Sequence, residues 1–415
     1  MENKFSHYTC SICGKTYEPG EVTYTCPDDG GNLDIILDYE TIKKSLNPEK
    51  FTDLPEASLW RYINLLPVAD PGGFGTPLRR AGWTPVYQPK RLAETLGLQH
   101  LWVKDESPNP TASFKDRASA IVVARAAQID AEVTVAASTG NAGAALAGMA
   151  AAVGARAVIF APKTAPPAKI AQLIVFGAQV LLVDGTYDQA FDLSIEATQQ
   201  FGWYNRNTGF NPFTAEGKKT AAFEIWEQVV RQLPAGSKRL TVFIPVGDGN
   251  IISGTHKGFK DLHELGWLEQ IPRIIGVQSE GSAAIANTFH QGDEQIEAVQ
   301  ANTLADSISV DLPRDGVRAV RAARETGGTY ITVPDGKILE AIAALGKVGI
   351  FAEPAAATAY AGLVKAVAEE VVAPDDPVLV LSTGSGLKDV KAAMQSVSEA
   401  PVIEPTLKAV KKVLQ

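Results

Sequence analysis

Short apolar runs alternate with amphipathic or Ala-rich segments along most of the chain, and each run gives way to polar or Gly-rich residues. The runs have the length and β-branching of buried strands, whereas the segments between them have the length and composition of helices. We predict strands at residues 101–103, 133–137, 157–160, 180–183, 241–246, 274–278 and 378–381. We predict helices at residues 118–127, 142–153, 168–176, 187–201 and 401–415. This alternation predicts an α/β protein whose parallel strands are joined by right-handed crossovers.

Length and charge narrow the class of protein. A chain of 415 residues is long enough for two or three domains, and 45% apolar and 20% charged residues are ordinary for a soluble α/β protein. The formal net charge of −9 argues against a broad nucleic-acid-binding surface. The polar start lacks the features of a secretory signal, and no apolar run is long enough to span a bilayer. We therefore expect a cytoplasmic protein with no nucleic-acid or membrane partner.

The chain's three cysteines all lie near its N-terminus and provide no disulfide framework. Cys10 and Cys13 form a Cys-x-x-Cys knuckle, and Cys26 begins a second knuckle in which Asp29 replaces the last cysteine. Four thiolates in two such pairs would make a tetrahedral zinc ribbon. Here the three thiolates would need Asp29 or His7 as the fourth ligand. We therefore predict a ribbon-like segment without metal and keep zinc as the alternative.

Lys115 lies where a predicted loop becomes a helix. The loop contains Pro108 and Pro110, which remove backbone donors and favour extended conformations before them. The helix at 118–127 is Ala-rich and free of Gly and Pro, as a buried helix would be. An apolar pocket at this junction would lower the pKa of the lysine and make its amine a nucleophile for carbonyls. By residue type alone, the simpler interpretation is a surface lysine beside Asp116.

Two loops between a predicted strand and a predicted helix have the composition of anion sites. They consist of Ser138, Thr139, Gly140 and Asn141, and of Gly247, Asp248, Gly249, Asn250 and Ile251. Backbone N–H groups at a helix N-terminus or between glycines can converge on an anion, and the helix dipole favours negative charge there. By residue type alone, a plain strand-to-helix turn explains the first loop as well, and a lone Gly-x-Gly is a weak indication.

The segment NPTASFKDR at 109–117 resembles the lysine segment of the fold-type II pyridoxal-phosphate enzymes, most closely that of the threonine synthase family. The resemblance is nearly continuous from residue 82 to residue 119. It returns, in the family's order, at EGKKT (216–220), EPA (353–355) and TGSGLKD (383–389). Altogether it covers about residues 1–395.

The resemblance implies the fold of the tryptophan synthase β-like enzymes, in which two open-sheet α/β domains hold the cofactor between them. It implies a zinc-ribbon-like segment at 1–40, a catalytic region at 41–400 and a C-terminal helix at 401–415. Within the catalytic region we expect a smaller subdomain at about 115–200 and a larger one formed by the remainder. A homodimer is usual in this family and is expected here.

The resemblance also assigns cofactor-binding residues. Lys115, which follows Phe114, would hold pyridoxal phosphate covalently, and Asn141 would lie at the phenolic oxygen of the cofactor. The cofactor phosphate would bind the loop at 247–251. The neutral hydroxyl of Thr383 would meet the pyridine nitrogen and leave it poorly protonated, which tempers the ring as an electron sink. The alternative role for Thr383 is to cap a helix.

The substrate-binding residues follow the family less closely. The substrate carboxylate would bind at 138–141, and Arg206 and Lys218 would reach the distal end of the substrate. The family carries an arginine for the substrate phosphate shortly after an Asn-Pro, where this chain has Thr214. Ala142 likewise replaces a frequent threonine. Arg206 could supply the missing charge, since a guanidinium binds phosphate bidentately.

The activity that the resemblance implies is conversion of O-phospho-L-homoserine and water to L-threonine and phosphate. The departures at the distal end keep a second enzyme class open: a β-eliminating or β-replacing enzyme, such as threonine or serine dehydratase or cysteate synthase. A binding module without catalysis is a third alternative, and the retained Lys115 segment argues against it. In each case the ligand is a small amino acid and the cofactor is pyridoxal phosphate.

Overall fold

The N-terminal segment folds as a small antiparallel sheet packed against the main body. The computed structural model describes residues 4–51, 54–165 and 167–414. Strands β1 (Phe5–Cys10), β2 (Thr16–Tyr17) and β3 (Leu33–Leu37) pair in the order β2–β1–β3 and lead into helix α1 (Tyr39–Ser45). Alternate side chains of β1 and β3 are buried in one core with residues of the main body.

The remaining strands form two open sheets. In chain order they are β4 (Val86–Tyr87), β5 (His100–Asp105), β6 (Val133–Ala137), β7 (Arg156–Pro162), β8 (Gln179–Val183), β9 (Tyr204–Asn205), β10 (Thr241–Pro245), β11 (Arg273–Ser279), β12 (Thr329–Val333) and β13 (Pro377–Ser382). The larger sheet has the order β12–β11–β10–β13–β5–β4 and is parallel except for β4. The smaller sheet has the order β8–β7–β6–β9 and is parallel throughout. The predicted pair of open α/β sheets is therefore confirmed.

Helices cover both sheets. They are α2 (Lys90–Leu96), α3 (Lys115–Gln128), α4 (Asn141–Ala152), α5 (Pro167–Val175), α6 (Tyr187–Phe201), α7 (Phe213–Lys218), α8 (Thr220–Gln228), α9 (Asn250–Glu264), α10 (Ala284–Gln291), α11 (Gly316–Glu325), α12 (Asp335–Gly346), α13 (Pro354–Ala368), α14 (Val390–Gln395) and α15 (Leu407–Leu414). Helix α3 packs against both α4 and α7, so it joins the helices of the smaller sheet to those of the larger one. Among the described residues, none of the helices combines the length and apolar character needed to cross a bilayer.

The predicted strands are confirmed to within two residues at either end, because they are continuous apolar runs. Most of them are buried on both faces, whereas β8 is partly exposed. Strands β9 and β12 were not predicted, since one has only two residues and the other alternates polar with apolar side chains. The C-terminal helix prediction is wrong at its start. Helix α15 begins at Leu407 rather than at 401, because Pro401 and Pro405 lack the backbone donors that a helix needs.

The subdomain boundaries near residues 115 and 200 and the divisions at 40 and 400 stay predictions. The smaller sheet runs from β6 to β9, and β9 lies beyond the predicted end of the smaller subdomain.

Candidate active site

The loops predicted to form the site follow β5, β6, β10 and β13, at the carboxyl ends of parallel strands in the two sheets. Ligands of open α/β sheets bind beyond such ends. A cavity of about 160 Å³ lies beside the loops that follow β6 and β13, and its lining includes Asn141 after β6, Glu353 before α13 and Lys388 after β13. The loops that follow β5 and β10 do not contribute to this lining. The fold therefore brings residues from both sheets to one cavity.

Backbone hydrogen bonds fix the loop that carries Lys115. The Phe114 N–H donates to the Thr383 carbonyl at 2.8 Å, and the Ser385 N–H donates to the Ala112 carbonyl at 3.1 Å. Ala112 adopts a left-handed backbone conformation with φ of 62°, which is uncommon for a residue with a Cβ. Lys115 is the first residue of α3, directly after the buried Phe114. The Lys115 segment and the Thr383 loop are thus held together through the main chain.

The start of α3 is not a solvated surface turn. The Asp116 carboxylate is buried and accepts hydrogen bonds from the Thr111 N–H, at 2.6 Å, and from the Thr111 hydroxyl. Burial raises the pKa of Asp116 to about 6. The interpretation of Lys115 as a surface lysine beside Asp116 is therefore wrong, because Asp116 faces the protein interior and secures the preceding turn.

The amine of Lys115 has the electrostatic setting of a nucleophile. Burial of the amine, reinforced by the Arg206 charge, lowers the pKa of Lys115 to about 8, although Glu353 and Asp248 act in the opposite direction. Among the residues that the structure describes, none forms a hydrogen bond with this amine. The side chain keeps part of its surface accessible. An accessible amine with a lowered pKa can attack a carbonyl near neutral pH.

The predicted carboxylate loop lies at the start of α4. Ser138, Thr139 and Gly140 are partly exposed, whereas Asn141, the first residue of the helix, is buried. A Cβ added at Gly143 would lie 2.2 Å from the Ser138 carbonyl oxygen, so the loop turns tightly over the helix end. Thr139, Gly140 and Asn141 line the cavity, and the loop therefore presents its helix N-terminus to it.

Glu353 lines the cavity and was not among the predicted site residues. The Asn141 amide donates to both oxygens of the Glu353 carboxylate, each at 3.0 Å, and lies 3.4 Å from the Ser307 hydroxyl. Burial raises the pKa of Glu353. The available sequence signal was the EPA motif, in which Glu353 precedes α13. Lys169 and Lys388 also line the cavity without having been predicted.

The loop from Gly247 to Asn250 joins β10 to α9, as predicted, and Ile251 is the second residue of that helix. Gly249 has φ of 93°, and a Cβ there would lie 2.5 Å from the Asp315 carbonyl oxygen, so only glycine fits. The Asp248 carboxylate accepts a hydrogen bond from the Arg314 N–H at 2.7 Å. An acidic side chain is unexpected in a loop that binds an anion. Here the Asp248 carboxylate is engaged by the Arg314 backbone and anchors the loop.

Arg206 and Lys218 are buried beside Lys115. Arg206 donates through Nε to Ser119 and through Nη1 to Thr208, and its Nη2 has no hydrogen-bond partner among the described residues. Lys218 donates to the Asn250 side chain at 2.5 Å, which places it at the loop after β10. Burial lowers the pKa of Arg206 to about 10 and that of Lys218 well below its usual value, and for Lys218 the neighbouring cations add to the effect.

Thr214 stands where the family has its phosphate-binding arginine. It is buried, and its hydroxyl bonds to nearby residues. Its hydroxyl donates to the Asn211 carbonyl at 2.8 Å and lies 3.3 Å from the Asn250 side-chain oxygen. Arg206, by contrast, has in the same region a nitrogen that lacks a partner in the part of the chain that the structure describes. The structure thus places a cation, Arg206, near Thr214. Arg206 follows β9, whereas Thr214 belongs to α7.

Thr383 follows β13 and is almost fully buried. It caps none of the described helices, because the cap of the next short turn is Ser385, whose hydroxyl accepts from the Leu387 N–H. A Cβ at the adjacent Gly384 would lie 2.4 Å from Glu353, so the backbone approaches that carboxylate closely. The capping alternative is therefore wrong, and the Thr383 hydroxyl is left for another partner.

These residues fit a ligand that carries a phosphate and an aldehyde. In addition to burial, Arg206 lowers the pKa of both Lys115 and Lys218, and Lys115 lowers that of Lys218 further. One buried Arg206 nitrogen has no acceptor among the described residues. A phosphate group would relieve both conditions, because charged oxygens accept such hydrogen bonds strongly. The arrangement matches the donor set that pyridoxal phosphate requires.

Comparison with known proteins agrees with this geometry. Residues 78–384 match the family model described as pyridoxal-phosphate dependent enzyme. The chain is 37% identical to threonine synthase of Methanocaldococcus jannaschii over 98% of both chains. It is 36% identical to threonine synthase of Methanosarcina acetivorans, again over 98% of both chains.

Solved structures share the fold at lower sequence identity. The processed form of threonine deaminase isoform 2 from Solanum lycopersicum superposes with a TM-score of 0.65 at 20% identity, over 85% of this chain and 89% of that one. Diaminopropionate ammonia lyase from Escherichia coli gives a TM-score of 0.64 at 22% identity, over 76% and 87%. From the family match and the curated relatives, the chain belongs to the pyridoxal-phosphate-dependent enzyme family and is a fold-type II lyase related to the threonine synthases.

Proposed function

We propose that the protein is a threonine synthase, which converts O-phospho-L-homoserine and water to L-threonine and phosphate. Relatives of that name match nearly the whole chain. The single observation that carries the proposal is the pair of buried cations Arg206 and Lys218 beside the accessible amine of Lys115. One Arg206 nitrogen is unpaired among the described residues. Such a cluster suits a reaction in which both the cofactor and the substrate bear phosphate groups.

The cofactor would be held from both ends. Lys115 would bind its aldehyde, and backbone N–H groups of the Gly247–Gly249 loop, with the Lys218 ammonium, would bind its phosphate. When bound, pyridoxal phosphate supplies a ring that takes up the negative charge left on a substrate carbon. The neutral Thr383 hydroxyl would face the ring nitrogen.

The substrate would be oriented by groups at opposite ends. The loop at 138–141 would bind its carboxylate at the N-terminus of α4, and the Arg206 guanidinium would bind its phosphate. The Asn141 amide is fixed by its hydrogen bonds to Glu353. These contacts would hold the α carbon within reach of Lys115.

The freed amine of Lys115 would act as the base. Its lowered pKa leaves a substantial neutral fraction near pH 8, so it can accept the proton from the α carbon. The same amine would pass that proton on and remove one from the β carbon, so that phosphate can leave the γ carbon. A proton would then return to the γ carbon, the hydroxyl of water would add at the β carbon, and a proton would return to the α carbon. Arg206 would stabilise the leaving phosphate by its charge.

The decisive experiment measures phosphate release and threonine formation from O-phospho-L-homoserine by the purified protein with pyridoxal phosphate. We expect both products in equal amounts from the wild type and neither from Lys115→Ala. Arg206→Gln should raise KM for phosphohomoserine, whereas Arg156→Gln, at an exposed position on the smaller sheet, should leave it unchanged. The Arg206→Lys variant tests whether charge alone is sufficient.

Contrary results would point to the second enzyme class. A protein that shows the absorbance of lysine-bound cofactor but releases no phosphate from phosphohomoserine would contradict the proposal. Serine, threonine and O-phosphoserine are then the substrates to assay, with pyruvate, 2-oxobutyrate or a replacement product as readout. Thr214 would be the residue to exchange for arginine.

Assembly and location extend the same proposal. We propose a homodimer from the family resemblance and a cytoplasmic location from the net charge and the polar start of the chain. Sedimentation velocity of the purified holoenzyme tests the dimer. A single species at the mass of one 44.1 kDa chain would contradict the dimer.

A further inference from the structure

Three cysteines and one aspartate converge in the N-terminal sheet, far along the chain from the candidate active site. One side-chain atom from each of Cys10, Cys13, Cys26 and Asp29 lies within 4.8 Å of the others. Cys10 and Cys26 are buried, whereas Cys13 and Asp29 are exposed. His7, the other side chain that could have completed a metal site, is not part of the cluster.

The four side chains belong to two turns with the same backbone hydrogen bonds. In the first turn the Cys10 carbonyl accepts from the Gly14 N–H at 3.1 Å, and Gly14 has φ of 72°. In the second the Cys26 carbonyl accepts from the Gly30 N–H at 2.9 Å, and Gly30 has φ of 71°. Asp29 therefore occupies, in the second turn, the position that Cys13 occupies in the first.

Two of the distances between the side chains match the edges of a tetrahedron around zinc, and all the ligand atoms lie within 4.8 Å of one another. Two sulfurs bound to zinc at about 2.3 Å lie about 3.8 Å apart, and a sulfur and a carboxylate oxygen lie about 3.5 Å apart. Here Cys13 Sγ is 3.8 Å from Cys26 Sγ, and Cys10 Sγ is 3.4 Å from Asp29 Oδ1. A disulfide needs a sulfur–sulfur distance of about 2.05 Å, so Cys13 and Cys26 are not bonded.

Neighbouring donors are placed to support thiolates. The Ile12 N–H donates to Cys10 Sγ at 3.3 Å, and the Tyr17 hydroxyl lies 3.0 Å from Cys26 Sγ. Hydrogen bonds of this kind offset the negative charge of metal-bound sulfur and orient the ligands. The Asp29 carboxylate is itself fixed by the Gly31 N–H at 2.8 Å.

We propose that the N-terminal sheet binds one zinc ion through four side chains: Cys10, Cys13, Cys26 and Asp29. Four protein ligands leave no open position, which is the arrangement of a structural rather than a catalytic zinc site. The sheet contacts both parts of the main body, since the Asn32 amide donates to the Gly209 carbonyl at 2.7 Å and Asp34 pairs with Arg318 at 2.7 Å. The metal thus secures the segment that supports the loop carrying Arg206.

The test is metal analysis of the full-length protein, reduced and reconstituted with zinc. We expect one zinc ion per chain and, with cobalt in its place, sulfur-to-cobalt charge-transfer absorption and the intense visible bands of tetrahedral cobalt. Asp29→Ala should weaken zinc binding at least roughly tenfold, and Asp29→Cys should bind at least as tightly as the wild type. Asp28→Asn, one residue away and paired with Lys15, is the matched control and should not change affinity.

Two results would overturn the proposal. One is reduced wild-type protein that takes up no stoichiometric zinc, and the other is unchanged zinc affinity in both Asp29→Ala and Cys13→Ser. Far-ultraviolet circular dichroism and the absorbance of bound cofactor establish that each variant is folded. The proposal is independent of the enzyme's substrate, because metal content and cobalt spectra do not depend on turnover.

Discussion

At the scale of single residues, the pKa of Lys115 is lowered chiefly by burial and is adjusted by charges on distant parts of the chain. Burial lowers it to about 8, so the neutral amine becomes abundant at a lower pH than for an ordinary lysine. We therefore expect the rate at which the protein without cofactor captures pyridoxal phosphate to rise with pH, with a midpoint near pH 8, and to level off about one pH unit higher. Stopped-flow absorbance across pH 6 to 10 measures this rate. A midpoint near pH 10 would contradict it.

Two neighbours should move that midpoint in opposite directions. Arg206 lowers the pKa of Lys115 and Glu353 raises it. Arg206→Gln removes a repelling cation, so the midpoint should shift to higher pH. Glu353→Gln removes an attracting anion, so the midpoint should shift to lower pH. The same stopped-flow profile reads both variants, and shifts of the same sign would refute the electrostatic account.

Sequence could identify Lys115 but not its surroundings. The resemblance of the SFKDR motif to a known family pointed to the lysine, whereas residue types alone favoured a surface position. The charged neighbours of the lysine lie 91 positions away at Arg206 and 238 away at Glu353. The burial of Asp116 was likewise invisible, because a carboxylate at a helix start is usually solvated. Such facts depend on how the elements are packed together.

At the scale of elements, the turn before α9 depends on Gly249. Gly249→Ala would combine a left-handed φ with a Cβ 2.5 Å from the Asp315 carbonyl. We expect it to cost about 1–2 kcal/mol for the backbone and a further 1–3 kcal/mol for the overlap. Gly236→Ala, at a similar φ of 82° in open space, should show only the backbone cost. Urea unfolding measures both, and equal losses would contradict the close approach.

A buried ion network joins the segment before Lys115 to α8. Arg117 pairs with Glu106 at 2.8 Å and with Glu224 at 2.5 Å, and the three side chains are fully buried. Arg117→Met would leave two buried carboxylates with too little compensating charge, so we expect a loss of about 3–5 kcal/mol. The exposed Arg156→Met should change the free energy of unfolding by less than about 0.5 kcal/mol. Chemical unfolding of both variants tests the contrast.

Elements were predictable where their apolar runs are continuous. The central strands β6, β10 and β13 follow from length and β-branching alone. The order of strands within each sheet was not predictable, because parallel neighbours such as β13 and β5 are separated by most of the chain. Strand order is decided by long-range packing rather than by local sequence.

At the scale of the whole molecule, cofactor binding should stabilise the fold through residues from both sheets. A ligand present at about 100 times its Kd adds about 2.7 kcal/mol to the free energy of unfolding. We expect pyridoxal phosphate to raise the unfolding temperature by several degrees. Pyridoxal, which lacks the phosphate, should raise it much less, because it does not engage the Gly247–Gly249 loop and Lys218. Differential scanning fluorimetry compares the two, and equal shifts would contradict a phosphate site.

The whole-molecule architecture was inferred from resemblance rather than from periodicity. Alternating strands and helices predicted parallel sheets, and the structure divides them into a six-stranded and a four-stranded sheet. Nothing in the local pattern indicates where one sheet ends and the other begins. Helix α3 packs against α4, beside the smaller sheet, and against α7, which leads to the larger sheet. The two sheets are therefore joined by continuous helix packing.

The backbone hydrogen bond from Phe114 to Thr383 bears on how such an enzyme can change. It joins the segment that carries Lys115 to the end of β13 through a backbone N–H and a backbone carbonyl. Every residue has the carbonyl, and every residue except proline has the N–H. Side chains along the 138–141 loop or near Arg206 can therefore be exchanged without altering the spacing between the lysine and Thr383. Laboratory evolution toward another amino acid should accumulate its substitutions in those outer positions, while 112–114 and 383–385 tolerate little change in backbone.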